Sequence, residues 1–155
     1  MKKLLLVLSA LPLLLSGVSC GKDNDCTDKT IASEAGTITA YAAANNIIGT
    51  THASGIYYQI TNPGTGTAPT ISSDCKIQYM GKLLDGTVFA PQTTTPVTVQ
   101  VAGTIPGFQV ALQLLKEGGT IKVIIPSALA YGCAGSGSIP SSAILYFEIE
   151  LIDVI

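Results

Sequence analysis

Arginine and tryptophan are missing from the chain, histidine occurs once (His52), and charged residues make up only 12% of its 155 positions. Each shortage removes a class of function. Eight lysines against ten acidic residues leave a net charge of −2. Without arginine there is no basic footprint for a phosphate backbone, which argues against nucleic acid as a partner. Cysteines at positions 20, 26, 75 and 133 match no zinc spacing, and one histidine cannot complete a ligand set. No metal or other cofactor is expected. The longest apolar run, Leu4 to Leu15, is interrupted by Ser9 and Pro12 and falls short of the roughly 20 residues a spanning helix needs.

That run has another reading. Lys2 and Lys3 precede it, and the small residues Gly17 and Ser19 follow it, which is the plan of a secretion signal. The sequence "SGVSC" resembles the lipobox of bacterial lipoproteins, with Gly17 where leucine is usual. The resemblance implies loss of residues 1–19 and a lipid on Cys20. It also implies an exported lipoprotein on the periplasmic or cell-surface face of a membrane, the outer membrane being the expected one. Ordinary signal cleavage with Cys20 as a plain thiol is the alternative. The mature chain would carry six lysines against ten acidic groups, hence a formal charge of −4. Export places the cysteines in an oxidising compartment. With Cys20 acylated, Cys26, Cys75 and Cys133 can form at most one internal bridge, and the pairing stays open.

Residues 20–30 are polar and acidic and read as a tether. Residues 31–53 form an Ala-rich extension that is weakly helical: Ile38 and Tyr41 stand three apart, but Gly36 and several threonines oppose a helix. From residue 54 onward the period changes. Ile56, Tyr58 and Ile60 alternate as a strand does, and so do Cys75, Ile77 and Tyr79. Asp85-Gly86 signals a hairpin leading into "TVFA", and Val97, Val99 and Val101 alternate in "VTVQV". "PGFQVALQLLKEGG" is helical, with Phe108, Ala111, Leu112 and Leu115 on one stripe and Gly118-Gly119 as its stop. "TIKVIIP" reads as a buried strand, and Leu145, Phe147, Ile149 and Leu151 share a face of the last one. Five or six strands joined by short connections, with one short helix to cover one face, make an α+β half-barrel with a mostly antiparallel sheet.

"YMGKLLDGTVF", "VAGTIPGFQVALQLLKEGG" and "IPSALAYGCAGSGSIPSSAILYFEIEL" follow one another in that order. Together they resemble an FKBP-type peptidyl-prolyl cis-trans isomerase over residues 54–155. The resemblance implies a curved antiparallel sheet wrapped around the short helix, with an apolar cup between them that takes a prolyl ring. It implies catalytic roles for Tyr131, Ile105 and Phe108. It implies that Tyr79, Phe89, Val97, Thr104, Ile139 and Phe147 wall the cup. Tyr131 and Ile139 lie on a Gly/Ser-rich flap. Three positions depart from the family: Phe108 replaces an indole, Val97 replaces an aromatic residue, and Ala90 stands where an aspartate usually hydrogen-bonds the first tyrosine.

The implied activity is isomerisation of X-Pro bonds during folding of exported proteins. Its partners would be proline-containing polypeptides, macrolide ligands of the family, and the membrane through the lipid. A catalytically weak proline-binding or chaperone module is the alternative, motivated by Ala90 and Val97. Without the joint pattern, Phe108 and Phe147 would read simply as core residues and Tyr79 as a buried tyrosine with a satisfied hydroxyl. His52 reads as a surface residue, and Glu148 and Glu150 as a solvated face.

Overall fold

A computed structural model of the chain describes residues 26–155; the expected signal segment and Cys20 lie outside the described residues. The elements in chain order are helix α1 (Ile31–Ala44), strands β1 (Thr50–Thr51), β2 (Tyr57–Asn62), β3 (Asp74–Leu83), β4 (Val88–Ala90) and β5 (Val97–Gln100), helix α2 (Pro106–Gln113), and strands β6 (Gly119–Ile125) and β7 (Leu145–Val154). All strand pairs are antiparallel, in the order β1-β2-β6-β7-β3-β4. The expected α+β fold, a curved sheet around a short helix, is the one observed; the two-residue β1 raises the strands to seven.

The free edge of β3 is shared by two partners. β4 pairs with Gly81 and Lys82, and β5 with Asp74 to Ile77. Between them run residues 91–96, beginning and ending in Pro91 and Pro96, which cannot donate to a ladder. Thr93 bridges the interruption: its N–H donates to the Tyr79 carbonyl, and its Oγ1 accepts from the Tyr79 N–H, each at 3.0 Å. The Asp85-Gly86 turn closes the β3–β4 hairpin, with the Leu83 N–H donating to the Thr87 carbonyl at 2.8 Å.

Period-2 alternation sorts β3, β6 and β7 into two faces. Ile77, Ile121, Val123, Phe147 and Ile149 point to the face covered by α2, whose Phe108, Ala111 and Leu112 complete the main core. On the other face Ile124 and Tyr146 meet Ile38 and Ala42 of α1, with Ile47 beside them. The extension is thus a full helix of 14 residues packed on the opposite side of the sheet from α2. Thr30 caps it, its Oγ1 accepting from the Ser33 N–H at 3.2 Å. Gly36 and the threonines lower its intrinsic propensity, and burial of the Ile38–Ala42 stripe outweighs them.

Cys26 is bonded to Cys133, 107 positions away, while Cys75 is a buried free thiol in β3. Residues 26–30, the end of the expected tether, are therefore held against the domain. Among the described residues no helix is long and apolar enough to cross a membrane.

Candidate functional site

A hollow of about 250 Å³ opens between the sheet and the start of α2. Tyr79 and Phe147 reach it from adjacent strands of the sheet, and their backbones are fixed by the β3–β7 register. Thr104, Ile105 and Phe108 enter from the segment that starts α2. Pro106 is its first residue, and Ile105 before it is extended (φ −62°, ψ 149°), which throws the Ile105 side chain to the rim rather than onto the helix. Gln109 holds this segment: its Nε2 donates to the Thr104 carbonyl at 2.8 Å and to the Ala102 carbonyl at 3.2 Å. The Thr104 hydroxyl donates to the Val101 carbonyl at 2.8 Å.

The walls are aromatic and mutually braced. Phe147 lies 5.2 Å from Phe108 and 5.5 Å from Phe89, both edge to face, and 6.3 Å from Tyr79. Tyr79 meets Phe108 edge to face at 5.9 Å. Such pairs stabilise by about 0.5–1.5 kcal/mol each beyond area burial, so the rings keep their places without a ligand. An engineered apolar cavity of about 150 Å³ accepts benzene; the larger hollow here has room for a five-membered ring with its neighbouring atoms. No side chain of the described residues plugs it.

Six of the nine expected residues line the hollow: Tyr79, Thr104, Ile105, Phe108, Tyr131 and Phe147. Three do not. Phe89 stands behind Phe147 as a brace. Val97 points to the same face but lies at the open end of β5, 36% exposed. Ile139 packs against the main core instead, its backbone exchanging hydrogen bonds with Ser136 at 2.8 and 2.9 Å. Ile77, Val99 and Gly103 line it instead. The first two were legible in the alternation of their strands, Ile77 two residues before Tyr79 and Val99 two after Val97. Gly103 and the brace Gln109 gave no sequence signal.

No residue lining the hollow carries a charge. Ala90 sits in β4 opposite Gly81 and offers no polar atom to Tyr79. Gln92 does not replace the missing carboxylate, because it lies on the other face of the sheet beside Gln78, Lys122, Glu148 and Glu150. Among the lining residues the Tyr79 and Tyr131 hydroxyls and the Ile105 N–H are polar groups not bonded to another described residue. The arrangement can hold a neutral apolar ring and orient flanking carbonyls; it has no nucleophile–base pair.

The sequence pattern of the FKBP-type peptidyl-prolyl cis-trans isomerases matches residues 66–152. The chain belongs to that family. It is 41% identical over 106 residues to the FKBP-type peptidyl-prolyl cis-trans isomerase FkpA of Escherichia coli strain K12, a match covering 67% of this chain and 39% of FkpA. The outer membrane protein MIP of Legionella longbeachae is 42% identical over 104 residues, 65% of this chain and 45% of MIP. The chain thus spans less than half the length of these relatives. The crystal structure of a peptidyl-prolyl cis-trans isomerase from Pseudomonas syringae superposes with a TM-score of 0.68 at 33% identity, over 83% of this chain and 98% of that one. The FKBP hollow is therefore the site at which function is to be sought.

Proposed function

We propose that this FKBP-type chain isomerises X-Pro bonds of exported polypeptides, with Tyr131, Ile105 and Phe108 as its catalytic residues. The observation that carries this is the open, uncharged, ring-walled hollow whose Tyr131 hydroxyl and Ile105 N–H are unpaired among the described residues. Rotation about an X-Pro bond breaks amide resonance; uncatalysed it takes tens to hundreds of seconds. It needs no acid, base or metal, only tighter binding of the twisted amide than of either planar form. Planar amides are the more charge-separated and the better hydrated. A dry cup of Phe108, Phe147 and Ile105 therefore favours the twisted form once the prolyl ring is inserted. The Tyr131 hydroxyl and Ile105 N–H donate to carbonyls flanking the ring and fix its orientation. Tyr79 and Thr104 complete the wall, Phe89 braces it, and Val97 and Ile139 contact residues beyond the proline. A macrolide with an apolar ring would compete for the same cup.

The test is exchange of a short Phe-Pro peptide by the mature protein. Acceleration well above background, weakened by Tyr131→Phe and by Phe108→Ala, is expected; a background rate sinks the isomerase reading. The second reading, a proline-binding module with slow turnover, is favoured by the absence of any charged group beside Tyr79, and predicts peptide binding without acceleration.

Anchoring through a lipid on Cys20 belongs to the same proposal. Cys20 stands six residues before Cys26, so even fully extended chain would hold the flap within about 20 Å of the bilayer surface. Such a position suits clients emerging at a membrane. Cys20→Ser should release the protein into the soluble fraction; continued membrane retention would remove the lipid anchor.

A further inference from the structure

The hydroxyl of Tyr131 has no partner among the described residues, so its place at the hollow depends on how its backbone is held. The backbone is held from an unexpected quarter. Glu34 of α1 is 3% exposed, and its two carboxylate oxygens accept from the Ser127 N–H at 2.7 Å and from the Ser127 hydroxyl at 2.8 Å. Ser127 opens the 3-10 turn Ser127–Leu129 that leads directly into Tyr131. On the far side of Tyr131, the Asp28 carboxylate accepts from the Cys133 N–H at 2.7 Å, and Cys26 is bonded to Cys133 itself. Three links from residues 26–34 therefore fall within residues 127–133, with Tyr131 between them.

The rest of the flap is closed on this same base. The Ser142 N–H donates to the Gly132 carbonyl at 2.8 Å, and the Ser141 hydroxyl to the Cys133 carbonyl at 2.6 Å. Gly132 has φ +57°, and a side chain there would strike the Asp28 carboxylate. A carboxylate taken out of water is costly unless donors satisfy it. Packing of Ile38 and Ala42 does not need one. Lys29, 4.0 Å away and mostly exposed, gives Glu34 little. What the buried Glu34 does supply is a charge-assisted hold on the start of the flap.

We propose that the N-terminal extension is a clamp for the flap, in which Glu34, Asp28 and the Cys26–Cys133 bridge keep the Tyr131 hydroxyl at the mouth of the hollow, with Glu34 the principal positioning residue. This deepens the isomerase proposal and rests on Tyr131 acting there. Small displacements of an orienting group are enough to change a rate severalfold.

The test is a double-mutant cycle on the full mature chain, read as kcat/KM for a Phe-Pro peptide. Tyr131→Phe and Glu34→Ala should each lower it by about three- to tenfold. The two together should fall within about twofold of Tyr131→Phe alone, because the clamp acts only through that hydroxyl. Glu34→Gln keeps an acceptor for the Ser127 N–H and should restore most of the rate, and amide exchange over residues 127–133 should quicken in Glu34→Ala alone. Should Glu34→Ala fail to fold, Asp28→Ala, at an exposed position, carries the same cycle. Unchanged kcat/KM in Glu34→Ala and Asp28→Ala, beside a lowered Tyr131→Phe, overturns the clamp and leaves the isomerase reading standing. So does a Glu34→Ala loss that is fully retained in the Tyr131→Phe background, as general destabilisation would give. A normal rate in Tyr131→Phe removes the role of Tyr131 and the clamp with it.

Discussion

Gly81 stands in the middle of β3, where a side chain would normally strengthen the strand. A Cβ there would lie 2.6 Å from the Phe89 ring and 2.8 Å from Phe147. Its absence is what lets these rings meet edge to face behind the hollow. Gly81→Ala should force them apart at a cost of about 1–3 kcal/mol. Since the affected ring walls the hollow, proline-peptide affinity should fall together with the thermal midpoint; an unchanged midpoint would show that the rings yield freely. Ala90, the strand partner of Gly81, poses the opposite case of a group missing from the wall. Ala90→Asp should raise kcat/KM about three- to tenfold if a hydrogen bond to Tyr79 is all that is lacking. An equal or lower rate would assign the deficit elsewhere. At this scale the sequence was most informative for the aromatic and rim residues, whose motifs have fixed spacing. It gave Val97 but not Val99, because both alternate on one face and the spacing does not say which of them lines the hollow.

The elements differ in how much of them local sequence reveals. α2 was legible from its apolar stripe and from Pro106, but it ends at Gln113, ahead of the expected Gly118-Gly119 stop, and Leu115 joins the core from beyond the helix. α1 was only half legible, since its stability comes from the sheet face it covers and not from its own residues. The flap is rich in glycine and serine, yet Ser136, Ile139, Ser141 and Ser142 knit it into a closed loop. The face under α1 also carries a titration. Tyr146 is buried there, donates to Glu148 Oε1 at 2.6 Å, and lies beside Tyr41 with Lys82 over its ring at 4.8 Å. Burial first, and then the Glu148 carboxylate, push the Tyr146 hydroxyl well above the ordinary tyrosine value. In the unfolded chain it loses its proton near pH about 10. Below that pH both states are protonated and the contribution to stability is whole. Above it the unfolded chain ionises while the folded one keeps the proton, so stability falls as pH rises. Urea midpoints should drop between pH 9 and 11 in the parent. They should drop less in Tyr146→Phe, with a residual slope from Tyr41, whose hydroxyl burial also raises. Equal slopes in both proteins would place the alkaline loss elsewhere.

At the scale of the whole described chain, the thiols of Cys26, Cys75 and Cys133 are arranged so that one bridge forms and stays. Cys26 and Cys133 lie at the surface of the flap base, while Cys75 is fully buried in β3. Burial pushes the Cys75 thiol up, and the Asp74 and Glu117 carboxylates push it the same way. A protonated, inaccessible sulfur is a poor attacker of a disulfide, so Cys75 does not scramble the bridge. The pairing could not be chosen from the sequence, because Cys26, Cys75 and Cys133 alone allow three answers and only the fold brings Cys26 to the flap. That bridge closes a loop of 107 residues, most of the described chain. In an oxidising compartment it removes much of the freedom of the unfolded state, and chain entropy alone gives about 4–5 kcal/mol for a loop near 100 residues. Cys26→Ser/Cys133→Ser should therefore lower the free energy of unfolding by about 2–5 kcal/mol in urea titrations. Dithiothreitol should reproduce that loss in the parent and add nothing to the variant. A parent whose midpoint ignores reductant would mean that α1 and the Glu34–Ser127 link fasten the extension without help from the covalent bond.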